Sequence, residues 1–286
     1  MSIRLLQFSD IHFGAENVAA VEAAASFAHA TPFDLLVLCG DITQLGHGDE
    51  FSAARRWASG LPRPWLSTPG NHDTPWMGLV DRVVRPFEDY AGAIGPIETG
   101  FSAPGMAVQA INTARGWQIR LNWSKGEISR RQAIEAAARL RAASTDAARV
   151  LVCHHPLVEP AGEPITARVR GGNQAARRMV TAGVDVILSG HLHTPFVQPL
   201  PFGDHLTYAV GAGTLSLRER GAPPSFNIVD IAGEVLAVTT MAYEGGGFDE
   251  YRKWTMPLRP NLKARNPDLS GGAPFPKQEP ETRGGV

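Results

Sequence analysis

The chain has 286 residues, of which 43% are hydrophobic and 19% are charged, so it can bury a sizeable core. Its formal net charge of -1 argues against a non-specific nucleic-acid-binding protein, which normally carries a strong basic excess. The two cysteines exclude a disulfide framework and a cysteine-based zinc site, so a metal site would have to use His, Asp, Glu or Asn.

Short apolar segments alternate with Ala-rich amphipathic segments as far as His193. The predicted strands of this part are residues 3–8, 35–38, 65–67, 106–111, 150–152 and 184–188. The predicted helices are residues 18–30, 50–59, 129–143 and 174–182. Continuously apolar strands that alternate with helices predict a layered α/β fold.

The pattern changes after His193. Residues 205–210, 225–231 and 235–241 are strand-like with no helix between them, which predicts antiparallel strands in a second sheet. Residues 1–256 are predicted to form one domain, and the Pro- and Gly-rich residues 257–286 an extended or disordered tail. We find no signal-peptide or membrane-spanning pattern, and expect a cytoplasmic protein.

Six of the nine histidines fall in four short segments that follow a predicted strand or a Pro-Gly turn. Together with a fifth segment, Gly40-Asp41, they place metal-binding side chains after five strands. These side chains are Asp10, His12, Asp41, Asn71, His154, His191 and His193. In an open α/β sheet the carboxyl ends of the strands form the ligand-binding edge, so we expect these groups to meet there.

The chemistry of this set suits divalent or trivalent metals. Carboxylate, imidazole and amide oxygen ligands bind Mn, Fe and Zn ions. Seven such groups exceed what one ion takes in a catalytic site with an open position, so they predict two ions that share a carboxylate. Such a pair can clamp the attacking and leaving oxygens of a phosphoryl group.

The same residues resemble the five ordered motifs of the calcineurin-like metallophosphoesterases. The motifs are Asp10-x-His12, Gly40-Asp41, Gly70-Asn71-His72-Asp73, His154-His155 and Gly190-His191-x-His193. The segment from Asn112-Thr113 through Gly126-Glu127-Ile128-Ser129 to Gln132 also resembles the class III cyclic-nucleotide phosphodiesterase branch, although Asn112 stands where that branch usually has Asp. The resemblance implies a four-layer α/β/β/α sandwich.

The resemblance also implies a role for each motif residue. One ion would be bound by Asp10, His12, Asp41 and His193, and the other by Asp41, Asn71, His154 and His191, with Asp41 as the bridge. A bridging hydroxide would attack phosphorus in line. The catalytic residues would be His72, which would face the substrate and assist the leaving oxygen, and Asp73, which would orient His72. The ions would be Mn²⁺ or an Fe/Mn pair, with Zn²⁺ as a further candidate.

Other residues have two open interpretations. His155 either supports a metal ligand or is structural. Arg168 and Arg170, in the loop after His154, either bind substrate phosphate or are solvated loop charges.

The substrate class rests on weaker signals. We expect a small phosphodiester of the cyclic-nucleotide or glycerophosphodiester type. The alternatives are a repair-type nuclease, because Ser9–Gly14 reads Ser-Asp-x-His-x-Gly, and a lipid or nucleotide-sugar pyrophosphatase. The pyrophosphatase match is poorer, because the enzyme of lipid A synthesis usually has Arg where this chain has His72. A non-enzymatic scaffold would be expected to have lost ligands, and here all seven are present. A homodimer is a possible assembly.

Overall fold

The computed structural model describes residues 2–118, 122, 124–161 and 169–260. These residues form twelve strands and six helices. The strands are β1 Ser2–Phe8, β2 Leu35–Leu38, β3 Trp65–Ser67, β4 Gly100–Ala103, β5 Met106–Ala110, β6 Ala148–Val152, β7 Val186–Ser189, β8 Phe196–Pro199, β9 Tyr208–Gly211, β10 Ser225–Ala232, β11 Val235–Glu244 and β12 Gly247–Pro257. The helices are α1 Val18–Ala30, α2 Gly48–Gly60, α3 Leu79–Val84, α4 Glu88–Ala93, α5 Arg130–Arg141 and α6 Gly172–Thr181. None of the helices among the described residues is long and apolar enough to cross a bilayer.

The strands form two six-stranded sheets. The first sheet has the order β12-β11-β10-β1-β2-β3, and the second sheet has the order β4-β5-β6-β7-β9-β8. β1, β2 and β3 are parallel to one another, as are β5, β6, β7 and β9. All seven therefore direct their carboxyl ends to the binding edge of their sheet.

The prediction that the strands after His193 build a sheet of their own is wrong. β10 pairs antiparallel with β1, with Ser2 opposite Ala232, so β10 to β12 extend the first sheet. β9 pairs parallel with β7, with Val186 opposite Tyr208, and extends the second sheet. The sequence did not reveal this because absent helices suggest antiparallel neighbours, whereas here the β7–β9 crossover is made by β8 and its loops.

The two sheets pack face to face, and helices cover their outer faces. Leu5 and Val37 of the first sheet and Val150 of the second sheet belong to one buried cluster between the sheets. α5 and α6 pack on the outside of the second sheet, and α1 and α2 pack on the outside of the first. The predicted four-layer α/β/β/α architecture is therefore confirmed.

Alanines explain the close contact between the helices and the sheets. Ala24 of α1 and Ala54 of α2 are fully buried, as is Ala176 of α6. α5 is capped by Ser129, whose hydroxyl accepts from the backbone of Gln132 in a capping box. The buried faces of the helices fix them against the sheets. The candidate site lies on the loops at the carboxyl ends of the strands.

The last described residues are anchored. β12 ends at Pro257, Leu258 packs into the core between the sheets, and Arg259 pairs with Asp204 at 2.7 Å. The rest of the predicted tail, from residue 261, lies outside the described residues.

Candidate functional site

All seven predicted metal ligands are buried on loops at the carboxyl ends of strands. They are Asp10 and His12 after β1, Asp41 after β2, Asn71 after β3, His154 after β6, and His191 and His193 after β7. Main-chain hydrogen bonds hold these loops together: Asp10 donates to Gly40 (3.0 Å), and Gly190 donates to His154 (2.9 Å). The structure therefore brings the predicted ligands into one cluster that straddles the two sheets.

One group of ligand atoms converges around Asp10. The Nε2 atom of His193 lies 3.1 Å from Oδ1 of Asp10 and 3.3 Å from Nε2 of His12. His193 donates from Nδ1 to the carbonyl of Arg218 at 2.6 Å, which turns its Nε2 toward Asp10 and His12. Oδ1 of Asp10 is buried without a hydrogen-bond partner. Three acceptor atoms that face one another in this way fit a shared cation.

A second group converges around Asp41 and His154. Nε2 of His154 lies 3.1 Å from Oδ2 of Asp41 and has no hydrogen-bond partner, while Nδ1 donates to the Cys39 carbonyl at 2.8 Å. Nε2 of His12 lies 3.9 Å from the same Asp41 oxygen. Asp41 thus faces both groups, which is the arrangement a bridging carboxylate requires.

Further ligand atoms surround this second group. His154, His155 and His191 each offer a ligand atom within 4.8 Å of the others. Asn71 is buried, and its Oδ1 lies 3.1 Å from Nε2 of His155. The chemistry of both donor sets, with orphaned buried nitrogen and oxygen atoms, fits two bound metal ions.

The backbone is strained where the ligands are held. Five of the seven have φ in the left-handed region: Asp10 (52°), His12 (52°), Asp41 (49°), His191 (71°) and His193 (63°). Among the other described non-glycine residues, only His205 has positive φ. Each such residue costs on the order of 1–3 kcal/mol, so strain concentrated on the candidate ligands indicates a functional constraint.

Two glycines allow the loops to approach the ligands. A Cβ atom on Gly40 would lie 2.8 Å from Nδ1 of His154, and one on Gly190 would collide with the side chains of Ser9 and Asp10. A side chain at either position would therefore displace a candidate ligand.

Burial and the cluster's own charges shift the pKa values of the ligands. Burial lowers the pKa of His12 and of His191 to about 3, so both rings are neutral donors to a metal at neutral pH. Burial opposes the charge of His154, but the Asp41 carboxylate outweighs it and raises the pKa of His154 to about 9. Metal binding at His154 must therefore displace a proton.

His72 lies beside the ligands and is only half-buried. Its Nδ1 donates to the carbonyl of Gln44 at 2.6 Å, and its Nε2 accepts from Nη1 of Arg218 at 3.0 Å. Its backbone N–H donates to Oδ1 of Asp41 at 2.8 Å. The ring is thus held in one tautomer next to Asp41, the carboxylate that faces both sets of ligand atoms.

The prediction that Asp73 orients His72 is wrong. The described hydrogen bonds of the Asp73 carboxylate come from the backbones of Ile42 (3.2 Å), Thr43 (2.8 Å) and Gly70 (2.9 Å), and from the Thr43 hydroxyl. Asp73 ties the loop after β2 to the turn after β3 instead. Burial raises its pKa to about 6, an effect that the Asp41 charge reinforces.

His155 contacts a candidate ligand. Nε2 lies 2.8 Å from the Ser124 carbonyl and 3.1 Å from Oδ1 of Asn71, and Nδ1 lies 2.9 Å from the Thr113 hydroxyl. Gly126 leaves room for the ring, because a Cβ atom there would lie 2.6 Å from its Cγ. The segment that resembles the phosphodiesterase branch therefore packs behind His155 and fixes its ring.

The structure does not bring Arg170 to the ligands. Arg170 is exposed, pairs loosely with Glu127 at 3.8 Å, and lines an open cavity with Lys125. Arg168 lies outside the described residues. The alternative interpretation of Arg170 as a solvated loop charge agrees with this placement.

Two arginines that the sequence did not single out lie at the site instead. The Arg218 carbonyl anchors His193 and its side chain contacts His72, while Nη1 of Arg220 donates to the His191 carbonyl at 3.1 Å. Their loop follows β9, whose parallel pairing with β7 brings it to the same edge. The position of this loop at the end of a predicted strand was the available signal. The prediction that this strand is antiparallel placed the loop away from the site.

The sequence matches the family of calcineurin-like phosphoesterases over residues 3–195, about two-thirds of the chain. The chain belongs to the calcineurin-like phosphoesterase family. The family membership predicted from the five motifs is therefore confirmed. Calcineurin-like phosphoesterases are generally dinuclear metal-dependent hydrolases, which agrees with the two converging groups of ligand atoms. No curated protein matches the sequence.

Two solved structures similar to this calcineurin-like phosphoesterase are a plant phosphatase and a Vps29. A purple acid phosphatase from yellow lupin (Lupinus luteus) seeds is similar at 13% identity and TM-score 0.65, covering 98% of this chain. The chain spans 57% of the length of that phosphatase. A Vps29 mutant from Entamoeba histolytica is similar at 12% identity and TM-score 0.48, covering 89% of this chain and 99% of that one. At 13% identity the likeness to the phosphatase concerns the fold alone.

Proposed function

We propose that this calcineurin-like phosphoesterase hydrolyses small phosphodiesters with two bound metal ions. The observation that carries the proposal is Asp41, which faces His154 at 3.1 Å and His12 at 3.9 Å and so stands between two sets of candidate ligands. The first set would be Asp10, His12, Asp41 and His193, and the second Asp41, Asn71, His154 and His191. Mn²⁺ or an Fe/Mn pair is the proposed occupant, and Zn²⁺ is a further candidate.

The metal ions, when bound, supply Lewis acidity and activate a water nucleophile. The chain's own residues hold the reacting groups. His72 is proposed to face the substrate, stabilise charge on the phosphoryl oxygens and assist the leaving oxygen. Its Nδ1 bond to Gln44 fixes the ring, and its Nε2, which accepts from Arg218 in this structure, would have to carry a proton to do this work.

Supporting residues hold these groups in place. The Asp73 carboxylate fixes the loops that carry Asp41 and Asn71. His155 is proposed to position the Asn71 amide through its 3.1 Å contact. A preorganised set of this kind loses little free energy to rearrangement during the reaction.

The choice of a diester rests on the resemblance of the motif pattern to the cyclic-nucleotide branch and on the near-neutral chain, which disfavours a nuclease. The test is turnover of Mn²⁺-loaded protein on bis-nitrophenyl phosphate, mono-nitrophenyl phosphate, 2′,3′- and 3′,5′-cyclic AMP, a glycerophosphodiester and single-stranded DNA. We expect the small diesters to be preferred. Preference for the monoester would reject the proposal, and preference for DNA would favour a nuclease.

A further inference from the structure

The loop after β9 is built into the site as firmly as the ligand loops. Ala212 donates from its backbone to Ser189 at 2.9 Å, and the hydroxyl of Thr214 donates to the carbonyl of Asp10 at 2.6 Å. Leu217 donates from its backbone to Ala15 at 3.0 Å. This loop is thus bonded to the loops that follow β1 and β7, and its side chains have fixed positions relative to the candidate ligands.

Arg218 and Arg220 project from this loop and are both half-buried. Nη1 of Arg218 donates to His72 Nε2 (3.0 Å) and lies 3.3 Å from Oε1 of Gln44. Nη1 of Arg220 donates to the His191 carbonyl at 3.1 Å. These bonds orient the guanidinium groups and leave other N–H donors on each of them.

Neither guanidinium has a carboxylate partner within salt-bridge distance among the described residues. The other end of the molecule differs, because Arg259 pairs there with Asp204 at 2.7 Å. Two half-buried cations on one loop, neither with a carboxylate partner among the described residues, fit a site that receives an anion.

We propose that Arg218 and Arg220 form an oxyanion-binding subsite that holds the non-bridging oxygens of the substrate phosphate beside the two candidate metal positions. This inference rests on the proposed function. Guanidinium groups suit this role because their planar array of donors matches the oxygens of a phosphate. His72 and Gln44 orient Arg218 toward the substrate, so His72 acts partly through the arginine. The candidate phosphate-binding arginines then lie on the loop after β9, and Arg170 has no part in phosphate binding.

The test is calorimetric titration of inorganic phosphate into Mn²⁺-loaded protein. Arg218→Gln and Arg220→Gln are each expected to raise the phosphate Kd by about 10- to 100-fold, as is typical when a hydrogen bond to a charged group is lost. Arg218→Lys keeps the charge but loses the planar fork, and should fall between wild type and Arg218→Gln. The metal content of each variant should equal that of wild type.

Arg131→Gln is the matched control, because Arg131 is exposed on α5 and pairs only with its helix neighbour Glu135 among the described residues. It should leave the phosphate Kd within about twofold of wild type, and Arg170→Gln should do the same. A normal phosphate Kd in both Arg218→Gln and Arg220→Gln, or no phosphate binding by wild type, would overturn the proposal. Loss of phosphate binding in Arg170→Gln alone would move the subsite to the other loop. If Arg218→Gln does not fold, Arg218→Lys and Arg220→Gln decide the outcome.

The two proposals can fail separately. If wild type hydrolyses no phosphoester but the arginine variants still lose phosphate affinity, the proposed function fails and the anion subsite stands. If wild type hydrolyses diesters but the arginine variants bind phosphate normally, the subsite fails and the function stands.

Discussion

The amino ends and the carboxyl ends of the parallel strands differ in how their polar and charged side chains are paired. At the amino ends, charges are paired: Arg4 contacts Asp230 at 2.7 Å, and Arg259 holds Asp204 through two bonds of 2.7 and 2.8 Å. At the carboxyl ends, Oδ1 of Asp10 and Nε2 of His154 are buried without hydrogen-bond partners. These amino-end charges are therefore paired within the chain, whereas the buried donor atoms at the carboxyl ends are arranged for ligands that the chain does not supply.

The backbone shows the same contrast. At the amino ends one described non-glycine residue, His205, has a positive φ, whereas five candidate ligands at the carboxyl ends have φ between 49° and 71°. Interactions elsewhere must offset this strain, and the three buried clusters of the sandwich can do so. Substitutions at the carboxyl ends should therefore lower turnover or metal binding, whereas substitutions at the amino ends should lower stability.

The largest effect on turnover is expected for Asp41→Asn. Loss of a residue that only supports a metal ligand typically costs ~10–100-fold, so loss of the proposed shared ligand should cost more than about 100-fold. Metal bound per chain should fall as well, as measured by elemental analysis after gel filtration. Full turnover and full metal content in Asp41→Asn would remove the bridging role.

His72→Ala should lose turnover while it keeps its metal. Contributions of a residue that transfers protons or stabilises charge are about 10²–10⁴-fold, and a loss in the lower part of this range is expected because Arg218 remains. Its backbone bond to Asp41 does not depend on the side chain. Turnover and metal content, compared with wild type, check the result, and a His72→Ala enzyme with wild-type turnover would exclude His72 from catalysis.

His155→Phe should have a smaller effect, about 10-fold on metal affinity or turnover, because the ring acts through Asn71. Phenylalanine keeps much of the volume beside Gly126 but removes both ring hydrogen-bonding atoms. The readout is the Mn²⁺ concentration that gives half-maximal turnover. An unchanged metal requirement would show that His155 is structural only.

Arg259→Gln should leave turnover per folded molecule unchanged and lower stability. Breaking a buried ion pair typically costs about 3–5 kcal/mol, and the partial exposure of Asp204 places the expected loss toward the lower end of this range. Chemical denaturation measures the stability, and active-site metal content serves as the control. Lost metal in a folded Arg259→Gln protein would contradict the independence of the two ends.

Much of this molecule could be predicted from its sequence, for a physical reason. Parallel strands buried on both faces have continuous apolar sequences, and the polar residues that interrupt them, such as Asp10 and His154, stand out. β12 was missed because it is an exposed edge strand with a charged sequence. α3 and α4 were missed because each has only six residues.

The errors at the site came from contacts between segments distant in sequence. Asp73 is adjacent to His72, but its carboxylate turns away to Thr43 and Gly70. Arg218 and Arg220 lie in a loop without a periodic hydrophobic pattern that would mark them in the sequence. Their position at the site depends on the parallel pairing of β9 with β7. Sequence patterns identify residues at strand ends, whereas sheet order decides which strand ends meet.

The proposed two-metal centre can be examined by titrating metal-free protein with Mn²⁺ while turnover on bis-nitrophenyl phosphate and the electron paramagnetic resonance spectrum are recorded together. We predict that turnover saturates at two ions per chain and that the spectrum becomes that of an exchange-coupled pair, which a shared Asp41 carboxylate would produce. Turnover that is complete without metal, or two bound ions that give only the spectrum of isolated Mn²⁺, would contradict the bridged centre.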